Sequence, residues 1–483
     1  MKGSFRVTMA WLHSMLGLVT GWVLFAIALS GSLSVFRQAI TLWMHPERDP
    51  PRVNPLEATS RAIDWLAHNA PSAPAWYVTS PTADAPFPTA IWPDAQGTYI
   101  QRILDPQTGS PDGLRDTLGG EFFYRFHFEL QLPYPWGRLI AAMAALALVV
   151  GLVTGIIIHR RIFADFFTFR PKRGLRSWLD AHNLLGVAAL PFHLMISFTG
   201  AVTLGSLLLP WSTQAVYHHD MMASYTDLNP ALYSRPASGQ PGHLVPIRPL
   251  LDEADRHFGG AGIEQVYIFN PSDHAALVTV IAGNDHTVST TTGVMTFDGT
   301  TGQLINAHTE TRPVIRLYTF LYGLHVARFA PAVTRWLYFL SGLALAAVIG
   351  SGMHLWTLKR LRQQPHMGQR IVCRMNTGIL AGTPLAFATY FLANRLLPLT
   401  LANRAVHEVQ TVFAVWALGI TFALFRRPDR AWPELLGGNA LACLAIALSG
   451  LPWTNVVMRG TAIVALMLGG AFGYAAFRTV RRA

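Results

Sequence analysis

Residues 13–31, HSMLGLVTGWVLFAIALSG, and residues 182–200, HNLLGVAALPFHLMISFTG, spell one pattern twice. Each opens on a histidine, places a glycine four residues on, and closes with a small hydroxyl residue and a glycine. The first copy has His13, Gly17 and Ser30-Gly31; the second has His182, Gly186 and Thr199-Gly200. The last glycine follows the histidine by 18 residues in both, which on an α-helix is five turns and roughly 27 Å, nearly one bilayer core. A straight helix of this kind carries a histidine at one membrane face and a glycine at the other, on the same side. Helix packing uses the glycines but has no need of the histidine. A planar or metallic group held between helices uses both.

The composition agrees with a membrane chain: of 483 residues, 51% are hydrophobic and only 13% charged. Apolar runs long enough to span lie at about 10–36, 137–158, 178–209, 334–357, 373–392, 405–425, 433–451 and 459–477. The first follows Lys2 and Arg6, but it is longer than a secretory h-region and no Ala-x-Ala site follows. It is therefore expected to be an uncleaved anchor. The net charge of +11 does not point to nucleic acid, because of where it sits. Eighteen Lys and Arg occupy the N-terminus, 160–176, 357–370, 426–430 and the last six residues, whereas 37–136 and 212–332 hold 13 Arg against 21 acids. By the positive-inside rule both termini are cytosolic and the two long segments lie outside. Cys373 and Cys443 both fall inside expected spans, so neither a disulfide framework nor a cysteine metal site is expected.

The repeat extends past its first helices. Each long segment contains a turn of similar spelling, Asp105-Pro106-Gln107-Thr108-Gly109 and Asp298-Gly299-Thr300-Thr301-Gly302, flanked by β-branched and aromatic residues that predict strands. Segments 56–68 and 247–257 read as short amphipathic helices, and Glu264 to Asn270 as a strand. After each turn come aromatics with a histidine (His127, His325), then a proline and an arginine, then a span ending in Thr154-Gly155 or Ser351-Gly352. The expected fold is a mainly α-helical integral membrane protein. Duplicated two-helix units form a four-helix bundle with two α+β extracytoplasmic domains, and four further membrane helices follow. The first repeat is 1–160, with domain 37–136, and a cytosolic loop is 161–177. The second repeat is 178–360, with domain 212–332, and the C-terminal block is 373–483. The duplication is parallel, with an approximate two-fold axis along the membrane normal.

That symmetry brings His13 to His182 at the cytosolic ends of spans one and three, and His127 to His325 just outside spans two and four. Each pair is then at the level of the opposite helices' glycines: Gly155 and Gly352 for the cytosolic pair, Gly31 and Gly200 for the external pair. Paired axial histidines hold haem, and a missing side chain lets a flat macrocycle lie against backbone. Two b-type haems stacked across a membrane make an electron wire. His193 follows His182 by 11 residues and has Leu24 as its counterpart; on a straight helix it faces the same way about 16 Å further along and is an alternative external ligand. His354, whose counterpart is Ile157, is a further candidate, and His159 beside Arg160 and Arg161 is expected at the interface. His407 next to Glu408 reads as a polar contact rather than a proton-handling pair. His218, His219, His243, His257, His274, His286 and His308 are scattered without metal-ligand spacing and are expected to be solvated. No Walker loop, His-Glu-x-x-His, nucleophile elbow or dinucleotide fingerprint occurs, so no flavin or nicotinamide site is expected and a separate donor must bring the electrons.

In order along the chain, His13/Gly17, the Asp105–Gly109 turn, His127, His182/Gly186, the Asp298–Gly302 turn and His325, with the hydroxyl-glycine helix ends, resemble the PepSY-associated transmembrane family of bacterial inner-membrane proteins. The resemblance covers about 1–365. It implies PepSY-like external domains in the periplasm and, for the members that are haem-binding ferric-siderophore reductases, electron transfer to an iron chelate. On that reading the partners are membrane lipid, a ferric siderophore and an electron donor, either a quinol or a cytosolic reductase. Arg125, Arg328, Tyr124 and Tyr322 are candidates for touching the chelate. The four helices after 372 depart from the minimal family pattern. Two other functions fit a duplicated membrane chain. One is a sensor or regulator whose external domains bind peptide or metal. The other is a transporter with helices broken at Pro191 and at Gly382/Pro384.

Overall fold

The computed structural model describes residues 2–47, 53–159, 169–171, 173–218, 220, 223–224, 227, 235–284, 287–290, 293–361 and 366–481. The chain forms two compact units: a helical one from Met1–Met44, Thr117–Leu208 and Ala332–Ala483, and a sheet-bearing one from His45–Asp116 and Leu209–Pro331. Helices 37–44 and 121–129, placed by sequence in the external domain, thus belong to the helical unit. His219 and His286 lie outside the described residues, as do Arg160 and Arg161.

In the helical unit, α1 (Lys2–Ser34), α2 (Arg37–Met44), α4 (Glu121–Glu129) and α5 (Trp136–Ile158) come from the first repeat. The second repeat gives α6 (Leu175–Ala188), α7 (Leu190–Thr203), the one-turn α8 (Gly205–Leu208) and α12 (Ala332–Leu361). The remaining four are α13 (Met367–Leu396), α14 (Arg404–Phe425), α15 (Pro428–Ser449) and α16 (Val456–Val480). Among the described residues seven helices are long and apolar enough to cross a membrane, and the bent pair α6–α7 makes up to eight. The protein is a multi-pass membrane protein. Helix α1 packs on α5 and α12, α6 packs on α12, and α7 packs on α5, closing a ring in which each repeat contributes the same pair.

The repeats differ at one point. Helix α1 runs unbroken, whereas its counterpart breaks at Ala189 and bends by 70°. Pro191 sits where the first copy has Trp22; it has no amide hydrogen, and its ring clashes with the carbonyl four residues back. The straight-helix projection that set His193 and Gly200 in line with His182 therefore fails in this copy. Pro384, by contrast, lies inside one continuous helix, α13.

The sheet-bearing unit contains α3 (Pro55–Asn69), β1 (Ala75–Thr79), β2 (Thr89–Pro93) and β3 (Tyr99–Ile103), followed by α9 (Pro210–Tyr217) and α10 (Ile247–His257). It continues with β4 (Ile263–Phe269), β5 (Leu277–Ala282), β6 (Gly293–Asp298), β7 (Leu304–Thr309) and α11 (Pro313–Val326). Each long segment is an α+β module, as its turns and strands predict. Antiparallel pairing of β1 with β4, Tyr77 opposite Tyr267, joins the two into one seven-stranded sheet ordered β3-β2-β1-β4-β5-β6-β7. One face, with Trp76, Val78, Val266, Ile268, Val278 and Val280, is covered by apolar residues of α3 and α10 such as Leu66 and Leu251. The two Asp-x-x-Thr-Gly turns have one geometry: the Asp105 carbonyl accepts from Gly109 N at 2.8 Å, and that of Asp298 accepts from Gly302 N at 2.9 Å. Gly109 and Gly302 have φ of +71° and +75°, the left-handed region that a side chain disfavours. Arg235 holds the Asp298 carboxylate at 2.7 Å.

At the start of this unit, Glu47 accepts from His45 Nδ1 at 3.0 Å and from Arg115 N and Nε at 2.9 and 2.8 Å. Burial acts to raise its carboxyl, but the hydrogen bonds and positive neighbours prevail and hold it down at about 2. A carboxyl depressed on folding stabilises above its unfolded value of about 4.3, and that contribution is lost as pH falls towards the folded value. Thermal stability is therefore expected to drop between about pH 4.5 and pH 2. Glu47→Gln should lower it at neutral pH and flatten the acid limb in a melting series.

Candidate functional site

His13 lies about three turns into α1 and His182 about two turns into α6, and the bundle brings them together with ring centres 6.3 Å apart and ring planes at 76°. Each ring is fixed from behind by the helix of its own repeat. His13 Nδ1 lies 2.9 Å from the Gly151 carbonyl and 3.3 Å from Thr154 Oγ1, while His182 Nδ1 lies 3.0 Å from the Val348 carbonyl and 3.1 Å from Ser351 Oγ. These partners are repeat-equivalent. A carbonyl only accepts, so Nδ1 is the donor in both rings. No hydrogen-bond partner for either Nε2 occurs among the described residues.

Two observations test this pair against a metal-centred planar group. First, ring centres 6.3 Å apart leave space for a single metal ion between the two imidazoles, provided both Nε2 atoms turn toward it. Next, a Cβ on Gly17 or Gly186, one turn beyond each histidine, would meet nothing within 4 Å. These glycines are not close-packing sites but bare backbone beside the histidines. On the other side, a Cβ on Gly155 would lie 3.3 Å from His13 Cε1, and one on Gly352 would lie 3.2 Å from His182 Cε1. The residues present fit two-histidine ligation of a haem.

His127 sits on α4 with Nδ1 2.8 Å from the Ile27 carbonyl. Its ring lies so close to α1 that a Cβ on Gly31 would come within 2.6 Å of Cε1 and Nδ1. Burial keeps its imidazole below the ordinary value, opposed by the hydrogen bond to Ile27, so the neutral form prevails. His193 is fully buried on α7, with Nε2 3.3 Å from the Ser341 carbonyl and Nδ1 buried without a partner among the described residues. Gly200 is half-buried further along α7. His325 is half-buried on α11, in the sheet-bearing unit rather than the helical one. His354 on α12 lies between Trp178 and Trp432, with ring centres 4.6 and 6.4 Å away. His159 caps α5. His218, His243, His257 and His274 are exposed, and His308 is half-buried 3.9 Å from Glu310. Tyr124 lies under the Arg37 guanidinium, Tyr322 stacks on Tyr318, and Arg328 pairs with Glu264; Arg125 is half-buried on α4. No cluster of three or more His, Cys, Asp or Glu able to hold a metal occurs among the described residues.

Residues 10–359 match the PepSY-associated TM region family. The chain belongs to that family. It is also 28% identical over 368 residues to an uncharacterized protein of Pseudomonas aeruginosa, covering 70% of this chain and 88% of that one. The PepSY-associated match contains both histidine-glycine helices and the whole sheet-bearing unit, and it ends on α12. Helices α13–α16 lie beyond it, and they hold the feature that sequence reading missed. Arg404 and Glu408 form an ion pair with neither side chain exposed. Glu408 also accepts from Asn394 Nδ2 at 3.0 Å and from Thr117 Oγ1 at 2.5 Å. His407, the neighbour that drew attention in the sequence, faces outward and bonds Gln410 at 3.1 Å. The signal available was Arg404 one turn before Glu408, an i,i+4 pair at the start of an apolar run.

Proposed function

We propose that this protein is a haem-b oxidoreductase of the bacterial inner membrane that passes electrons across the bilayer to a ferric siderophore and so releases its iron. The meeting of His13 and His182 carries the reading: two imidazoles with ring centres 6.3 Å apart, both fixed through Nδ1, which would hold a haem between them. Haem b supplies, when bound, a reversible one-electron couple. The chain's own residues keep each Nδ1 proton on a carbonyl, orient both rings and leave Gly17 and Gly186 bare beside them. His127, packed on Gly31, with His193 as partner, would hold a second haem nearer the other end of α1. The basic residues at 170–176 and 426–430 support cytosolic termini and a periplasmic sheet-bearing unit. The donor, a quinol or a cytosolic reductase, gives one electron for each Fe(III) reduced to Fe(II). Hard oxygen ligands hold Fe(II) less well than Fe(III), so reduction loosens the chelate without acid–base attack on it.

A reduced-minus-oxidised optical spectrum with a pyridine haemochrome assay tests this directly. Two b-type haems per chain, oxidised when a ferric siderophore is added, are expected. Protein that carries no haem after expression with ample iron and haem precursors would overturn the oxidoreductase and favour a sensor built on the sheet-bearing unit.

A further inference from the structure

Four helices outside the family match bury an Arg–Glu pair, an arrangement whose desolvation cost makes it a weak source of stability. Its partners show what it does instead. Arg404 donates to the Asn394 and Leu397 carbonyls at the end of α13, and Asn394 Nδ2 in turn holds Glu408 Oε1. The remaining carboxylate oxygen of Glu408 reaches out of the block to Thr117 Oγ1, in the four-residue link just ahead of α4. Tyr390 of α13 donates to the Gly119 carbonyl at 3.0 Å, and Thr41 of α2 accepts from Gly120 N at 2.9 Å. The link is thus pinned from both sides.

Helix α4 itself is seated on the same block. Phe122, Phe123 and Phe126 are fully buried, with Phe122 stacked on Tyr390 at 4.4 Å, Phe123 on Phe391 at 5.6 Å, and Phe126 against Phe387 at 5.2 Å and Trp416 at 5.8 Å. The next residue is His127. A ring held against Gly31 with no room for a Cβ tolerates little movement of the helix that carries it.

We propose that the C-terminal block positions His127, with Glu408 and Thr117 as the positioning residues and the α4 aromatic face as the lever. This rests on His127 being a haem ligand, as proposed above. The test uses the full-length protein as wild type, Thr117→Val, Glu408→Gln and Thr117→Ser. One readout is the rate at which diethylpyrocarbonate modifies His127 and His13 in haem-free protein, resolved by mass spectrometry. The other is the redox midpoint of each b-type signal in loaded protein.

Thr117→Val and Glu408→Gln are expected to raise the His127 rate about fivefold, the change in local opening that one lost hydrogen bond produces, with His13 unchanged. They should also shift one midpoint and leave the other, and Thr117→Ser should restore wild-type behaviour. An unchanged His127 rate, equal rises at His127 and His13, or no rescue by Thr117→Ser would overturn the proposal. If the His127-selective rise appears in a protein whose wild type takes up no haem, the ligand reading fails while the positioning of His127 by the block stands.

Discussion

His182→Ala is expected to lower the haem b content of the purified protein from two per chain to one, and His13→Ala to do the same. Each imidazole is held by the partner helix of its own repeat, so neither ring depends on the other for its orientation. Removing one therefore leaves the other in place but without the second imidazole, 6.3 Å away between ring centres, that would share the haem. A single histidine with an open position holds haem more weakly and at a different potential. The Nδ1 acceptors include main-chain carbonyls, which substitution does not remove, so Thr154→Ala and Ser351→Ala are expected to weaken haem retention by about tenfold at most, the lower end of outer-shell effects. Spectra of the four variants, normalised to protein, give the ranking. Equal haem content in His182→Ala and wild type would remove this pair from the electron path. On the proposed function, siderophore reduction driven from the cytosolic side is expected to fall below detection in both histidine variants, because a second haem would then have no relay to the donor.

The fold was legible wherever one local rule sufficed. Apolar runs predicted the spans, the Asp-x-x-Thr-Gly spelling predicted both turns, and the repeat predicted the four-helix ring. The bend at Ala189 was half legible: Pro191 announces a break, but its size depends on what replaces the lost hydrogen bond. The union of the two α+β modules was not legible, because β1 and β4 lie far apart in sequence and each reads as an adequate strand alone. Within the site, the His13–His182 encounter follows from symmetry, whereas the buried Thr117–Glu408–Arg404 network does not. A hydroxyl ahead of one helix and a charge pair in a distant one share no periodicity. Gly17 and Gly186 were legible as a motif but not in role, since glycine for close packing and glycine for bare backbone are spelled alike.

Gly17→Leu, or Gly186→Leu, separates those two roles. A Cβ at either position meets nothing within 4 Å among the described residues, so the new side chain starts in open space, where the cost of about 1–3 kcal/mol usual for overpacking a core is not expected. The haem-free variants are therefore expected to melt within about 0.5 kcal/mol of wild type, as surface substitutions do. On the haem reading the same leucine fills the space beside a ligand, one turn away on its own helix. Haem at the His13–His182 pair should then fall to a small fraction of wild type while the second b-type signal persists. The two results together are diagnostic, because a substitution that merely damages the bundle lowers both the melting temperature and both haem signals. Full haem content in Gly17→Leu and Gly186→Leu would mean that the bare backbone beside the histidines is not where the macrocycle lies.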